Sequence, residues 1–369
     1  MQFIDLAKQQ SLIKDKLDER IQAVLSHGKY IMGPEVTELE DKLKTFVGTK
    51  HCLSCSSGTD ALLIPLMAWG VGPGDAVLTT PFTFVATAEV VQLVGATPVF
   101  VDIDRETFNI DPQKLEEAIK QIISQGKLTP KVIIPVDLFG LPADYPQIEA
   151  IAKKYNLLVL EDAAQGFGGA IGNSKACSFG HAGATSFFPA KPLGCYGDGG
   201  ALFTNDDNMI EIFQSIRVHG MGSDKYDNVR VGLNARLDTF QAAILLEKFA
   251  CFPNEIELRN KVASWYTEKL KGKIETPIIP ENYTSVWAQY SVVAESAQRR
   301  AELQQKLKEK GVPTAVYYPK PLHLQTAFKH LGYKSGDFPI SEAISERIFS
   351  LPMHPYLCEE EVEHISKQF

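Results

Sequence analysis

The sequence predicts an α/β protein: a mostly parallel central sheet with helices on both faces, followed by a smaller C-terminal α+β domain. Three observations carry this. Between residues 76 and 204, short and nearly continuous apolar runs alternate with helical periodicity, and strands without a polar face are strands covered on both sides. The intervening helical segments, about 10 to 15 residues each, suit the crossovers of a parallel sheet. At 369 residues the chain also exceeds the roughly 250 to 300 at which a single core stops growing, so two domains are expected, 1–249 and 250–369.

Taken in order, Leu12, Ile13, Leu17, Ile21, Val24 and Leu25 recur at helical spacing, predicting a helix from Ser11 to Ser26 that Gly28 stops. The loop 28–36 leads into a second helix, Glu35 to Phe46. A strand over His51 to Ser56 runs into Ser57-Gly58-Thr59-Asp60 and a helix in which Pro65 predicts a bend. Strands at 76–80, 97–103, 132–136 and 157–160 alternate with helices at 85–94, 113–124 and 145–155. A strand over Ala184 to Phe188, a glycine-rich loop, a strand from Ala201 to Thr204 and a helix at 207–218 follow. Helices at 239–252 and 254–271 flank the expected domain boundary. The second domain adds a strand at 290–294 and a helix at 297–309.

Composition excludes several classes. The chain is 44% hydrophobic and 22% charged, as in ordinary folded proteins. A net charge of −8 argues against a broad nucleic-acid or anionic-membrane surface, while leaving room for a local phosphate pocket. The N-terminal MQFIDLAKQQ lacks an apolar core, and no run of 18 apolar residues occurs, so a soluble, cytoplasmic protein is expected. Six cysteines are too few for a disulfide scaffold. Cys52 and Cys55 form one CxxC in a buried strand, read as core packing rather than a metal or redox site, and no metal is expected.

Three stretches carry chemistry. In SFFPAKPLGCYGDGG, residues 186–200, Lys191 lies in a loop bracketed by Pro189 and Pro192 and rich in glycine. Such a lysine is either an exposed turn residue or, if desolvated, an amine of lowered pKa able to act as a nucleophile. Strand, Ser57-Gly58-Thr59, then helix is either a plain N-cap or a phosphate cradle built on free first-turn N–H groups. Strand 157–160 delivers Asp162 to the sheet edge where ligands bind. A buried acid needs a partner, which leaves a structural salt bridge or a heterocyclic nitrogen cation. The run Gly166 to Gly172 is a decoy for a dinucleotide fingerprint, because its third glycine falls one place late and no helix follows. His219 and His323 read as satisfied loop histidines.

SGTDAL, PFTFVATAEV, EDAAQ, SFFPAKPLGCYGDGG and GLNARLDTFQAAIL, with GKYIMGPEV at 28–36 and SLPMHP near the end, together resemble the DegT/DnrJ/EryC1/StrS nucleotide-sugar aminotransferases over nearly the whole chain. These are fold-type I enzymes dependent on pyridoxal 5′-phosphate. The resemblance implies that Lys191 carries the cofactor covalently and moves the proton, Asp162 pairs with the ring nitrogen, Gln165 bonds the ring hydroxyl and Phe84 stacks on the ring. It assigns Gly58, Thr59 and Ser186 to the phosphate, with Asn234 reaching the phosphate in a neighbouring subunit, so a homodimer with shared sites is implied. Glutamate is the implied amino donor and a keto-sugar nucleotide the acceptor, closest to UDP-2-acetamido-2-deoxy-3-oxo-glucuronate in surface polysaccharide synthesis. Tyr30, Met32, Arg236, Tyr317 and Tyr318 are the implied sugar-nucleotide residues. Relatives acting on 4-keto sugars share the cofactor residues. Sugar dehydratases carry histidine at the lysine position, so Lys191 favours transamination, and no appended DNA-binding segment supports a regulator.

Overall fold

The computed structural model describes every residue except Lys225. Helix α1 (Leu6–His27) begins at Leu6 rather than Ser11, because the Asp5 carboxylate caps it by accepting the Lys8 N–H at 2.9 Å; Gly28, at φ 68°, ends it. Helix α2 (Pro34–Val47) opens with proline, whose missing donor costs nothing there. Then β1 (His51–Cys55), α3 (Gly58–Ala68), β2 (Asp75–Thr79), α4 (Ala86–Leu93), β3 (Thr97–Phe100), α5 (Pro112–Gln125), β4 (Thr129–Ile134), α6 (Tyr145–Tyr155) and β5 (Leu158–Asp162) alternate. Helix α3 runs unbroken through Pro65, and β3 ends at Phe100 rather than at Ile103. Two short strands, β6 (Ala170–Ile171) and β7 (Ser174–Lys175), occupy the glycine-rich decoy. They are followed by β8 (Ala182–Ser186), β9 (Gly200–Thr204) and α7 (Asp207–Arg217).

The sheet runs β1-β9-β8-β5-β4-β2-β3. Only β9 opposes the others: it pairs antiparallel with both neighbours, and the remaining pairings are parallel. Alternate residues of one strand feed opposite faces. Val132, Ile134 and Leu160 join the core under α3, α4 and α7, whereas Ile133 and Val159 join the core under α5 and α6. Cys52 and Cys55, three apart on β1, fall on opposite faces for the same reason, in two different cores. They are free, buried and pushed up by burial, which removes them as a joint metal or disulfide site.

The helix pair expected at 239–252 and 254–271 is one helix, α8 (Thr239–Leu270), with Pro253 inside it. The anticipated domain boundary at 249/250 therefore falls within a continuous element. Leu245 and Phe252 pack with α2 against the sheet, whereas Val262, Tyr266 and Leu270 enter a further core. That core is completed by β11 (Tyr290–Val293), α9 (Ala297–Glu309), β12 (Ile348–Leu351) and α11 (Glu359–Ser366). β10 (Tyr283–Thr284) pairs with β6, and α10 (Pro339–Arg347) precedes β12. Among the described residues no helix is long and apolar enough to cross a membrane.

Asp102 explains the early end of β3. Its carboxylate accepts the Ile340 N–H at 3.0 Å, the Ser341 N–H at 2.9 Å and the Ser341 hydroxyl at 2.6 Å, capping α10 from a remote part of the chain. Burial alone would raise its pKa; the Ser341 hydroxyl and the N–H groups of Ile340, Ser341 and Ile103 outweigh it and hold the carboxyl below its usual range. Asp102→Ala is therefore expected to destabilise the fold by about 2–3 kcal/mol at neutral pH. Because the native pKa is depressed, this contribution is full above the unfolded value of about 3.9 and is lost as pH falls through the native one. Urea unfolding of both proteins at pH 7 and in acid checks this, the gap closing in acid.

Candidate active site

The carboxyl ends of β1, β2, β4, β5 and β8, with the amino end of antiparallel β9, lie along one edge of the sheet, the edge that binds ligands in such folds. Lys191 stands there in the β8–β9 loop. That loop closes on itself: the Phe187 N–H donates to Gly199 O and the Cys195 N–H to Phe187 O, both at 2.7 Å, and the Lys191 N–H to Phe188 O at 2.8 Å. A side chain at Gly194 would lie 2.6 Å from Phe188 O, so the return requires glycine. Burial of the Lys191 ammonium lowers its pKa, opposed only by the charge of Asp162. The residue as a whole is only partly exposed.

Asp162 is the last residue of β5 and only 4% exposed. Burial raises its pKa, while the Thr87 hydroxyl, at 2.8 Å from Oδ2, and the Ala164 N–H, at 3.2 Å from Oδ1, favour its charge. Among the described residues no lysine, arginine or histidine forms an ion pair with it, so the structural salt bridge left open by the sequence is not there. Gln165 is buried nearby. Its Oε1 accepts the Phe139 N–H at 2.7 Å, which fixes the amide orientation and leaves Nε2 as the donor, directed at the Tyr318 hydroxyl at 2.9 Å. The Tyr318 ring is 6.5 Å from that of Phe84, which is 56% exposed despite its size, and 5.9 Å from that of Tyr317.

On the same edge, Ser57 caps α3 through the Asp60 N–H, and Gly58 and Thr59 open the helix. A Cβ at Gly58 would lie 2.6 Å from the Cβ of Ser186, and one at Gly200 would collide with the Ser57 carbonyl. Two glycines thus let the helix start press against the ends of β8 and β9. The result is a shallow cradle of first-turn N–H groups and hydroxyls at the positive end of a helix.

Tyr30, Met32, Asn234 and Arg236 form a separate group. Tyr30 stacks on Phe240 at 5.6 Å, Ile31 bridges Asp238, Met32 sits at φ 54°, and Arg236 donates to Asn234 Oδ1 at 2.6 Å. Among the described residues none of these contacts reaches Lys191, Asp162 or Gln165. The sequence reading missed Thr87, whose only signal was a second threonine one turn after Thr83 in PFTFVATAEV. It also missed the coupling of Gln165 to Tyr318, which spans 153 positions.

Asp162 feels the charge of Lys191 but forms no ion pair with it, which leaves its carboxylate able to take a cation from a ligand. An anion cradle and a desolvated lysine on the same edge suit a ligand that carries a phosphate and a group that an amine can hold, and the acid suits a ligand cation, of which a protonated ring nitrogen is one. Pyridoxal phosphate fits that description, and the class is that of the fold-type I pyridoxal-phosphate enzymes. Residues 11–369 match the DegT/DnrJ/EryC1/StrS aminotransferase family, and the chain belongs to it. It is 53% identical to a UDP-2-acetamido-2-deoxy-3-oxo-D-glucuronate aminotransferase of Pseudomonas aeruginosa, over 97% of this chain and 96% of the relative. A DegT DnrJ EryC1 StrS aminotransferase from Brucella abortus superposes with a TM-score of 0.97 at 52% identity, covering 100% of this chain and 98% of the other. The PLP form of the sugar aminotransferase Spr1654 from Streptococcus pneumoniae does so at 0.88 and 28% identity, over 96% and 94%. The protein is a pyridoxal-phosphate-dependent aminotransferase.

Gly58→Ala should weaken the cradle without disturbing the remote core. Spectral titration of the apoenzyme is expected to show pyridoxal phosphate binding reduced about tenfold, or about 1.4 kcal/mol, with the circular dichroism spectrum unchanged.

Proposed function

We propose that the enzyme moves the amino group of glutamate onto a keto-sugar nucleotide, UDP-2-acetamido-2-deoxy-3-oxo-D-glucuronate, in the cytoplasm and on the way to a surface polysaccharide. The observation that carries this reading is the 53% identity, over nearly the full length, to the Pseudomonas aeruginosa enzyme of that name. When bound, pyridoxal phosphate supplies an aldehyde for amine capture and a ring that withdraws electrons. Lys191 supplies the amine that holds it and afterwards acts as the base and acid at the substrate carbon, a role for which its lowered pKa suits it. Asp162 keeps the ring nitrogen protonated, Gln165 Nε2 donates to the ring oxygen, Phe84 covers one face, and Gly58, Thr59 and Ser186 take the phosphate.

Tyr30, Met32, Arg236, Tyr317 and Tyr318 bind the sugar nucleotide, with Arg236 offering a bidentate fork to a carboxylate or phosphate. Asn234 and Arg236 serve the site of a second copy. Two facts support this: among the described residues their side chains make no contact with Lys191, Asp162 or Gln165 of the same chain, and the neighbouring segments carry exposed apolar residues, Ile31 against Asp238 and Met221, Val229 and Val231 before Asn234.

Three experiments test the reading. Incubation with glutamate and a panel of UDP- and dTDP-linked 3-keto and 4-keto sugars, followed by mass spectrometry, should give a 3-amino uronate and 2-oxoglutarate. A 4-amino or deoxygenated product would replace it with a 4-keto aminotransferase or a dehydratase. Borohydride reduction and peptide mapping should place the cofactor on Lys191. Mixing inactive Lys191→Ala and Arg236→Ala proteins should restore about a quarter of the sites if subunits share them; no recovery would leave Arg236 in its own subunit's site.

A further inference from the structure

We propose that Thr87 is a positioning residue for the reaction: its hydroxyl fixes the direction of the Asp162 carboxylate and keeps it ionised, with Thr83 behind it. The inference rests on the reading of Asp162 as the partner of the cofactor's ring nitrogen. Thr87 donates to Asp162 Oδ2 at 2.8 Å and lies 3.1 Å from the Thr83 hydroxyl. A hydroxyl has one hydrogen. That of Thr87 goes to the carboxylate, so Thr83 is the donor in the second contact and the chain runs from Thr83 through Thr87 to Asp162. All three side chains are buried, at 2%, 1% and 4% exposure.

A buried helical threonine ordinarily returns its hydrogen to a carbonyl one turn back. Thr87 instead bonds an acid 75 positions away, across the interface between α4 and β5. Asp162 has few other supports. The Ala164 N–H is longer, at 3.2 Å, and lies on the other oxygen. The remaining groups that act on it electrostatically are Lys191, which favours the anion, and Asp137, Tyr145, Cys177 and Tyr318, for which a charge on Asp162 is unfavourable company. Oδ2 therefore depends on Thr87 for its direction. The segment that carries Phe84 to the ring face also carries Thr87 to the acid beneath it, so one short stretch sets the two contacts together.

The test compares wild type, Thr87→Val, Thr87→Ser and Asp162→Asn as apoenzymes titrated with pyridoxal phosphate, and as holoenzymes in the glutamate half-reaction. Thr87→Val keeps the shape and removes the donor. It should bind the cofactor about tenfold more weakly and lower kcat about tenfold with little change in KM for glutamate. Its cofactor absorption band should also change at a higher pH on the acid side. Without the donor, burial raises the pKa of Asp162, and the anion is lost sooner as pH falls. Thr87→Ser, which keeps the hydroxyl, should stay close to wild type. The proposal is overturned if Thr87→Val matches wild type while Asp162→Asn is impaired, or if Thr87→Ser is impaired as much as Thr87→Val, which would mark a packing role. If Asp162→Asn itself behaves as wild type, the reading of Asp162 falls and this inference with it. Should Thr87→Val fail to fold, Thr83→Val replaces it; a smaller shift in the same direction supports the chain, and none overturns it.

Discussion

The constraint on which the site depends is the cost of keeping one carboxylate charged where water cannot reach it. An isolated ion buried in protein shifts its pKa and neutralises rather than bear the desolvation. Asp162 meets this with fixed donors, a hydroxyl from α4 and a backbone N–H from its own turn, and with a lysine across the edge. None of these donors neutralises it outright. The acid therefore remains a site of unmet negative potential, ready to pair with a cation that a cofactor brings.

The same economy shapes the neighbouring cradle. A helix start can serve an anion only if its first-turn N–H groups face open space, and here the strands close in from the side. Gly58 and Gly200 remove the two Cβ atoms that would hold α3 away from Ser186 and the head of β9. Close approach brings hydroxyls from two elements to one point. Ser56 and Ser57 are meanwhile engaged by Asp60, which orders the turn before any ligand arrives. The Lys191 backbone is held by a bond within its own loop, so its place on the edge is set by the loop's return to the sheet.

Much of this was legible in the sequence because it is written locally. Apolar runs gave the parallel strands, periodicity gave helices such as α6 and α9 at their observed ends, and Ser-Gly-Thr after a strand marked the cradle. What was not legible is long-range. Pro253 reads as a break at a cost of about 3 kcal/mol in a helix interior, yet α8 passes through it. Phe252, Glu255 and Arg259 are buried on that helix, and tertiary packing decides its course. The remote cap from Asp102 to α10, the donor from Thr87 to Asp162 and the pairing of Gln165 with Tyr318 join residues between 75 and 239 positions apart. No local pattern announces such pairs.

The proposed roles would also let one set of cofactor residues serve different sugars. Lys191, Asp162, Gln165 and the cradle are fixed by the carboxyl edge of the sheet, and altering them would disturb strands and helix starts. Tyr30, Met32 and Arg236 instead sit on the connecting segments 28–33 and 232–238, the first tied to the start of α8 and the second to the end of α7 and to Ser56. Loops of this kind tolerate substitution better than buried strand ends. On the proposed roles, recognition carried by these connections can vary separately from the chemistry held by the core, with Tyr318, bonded to Gln165, as the point where the two meet.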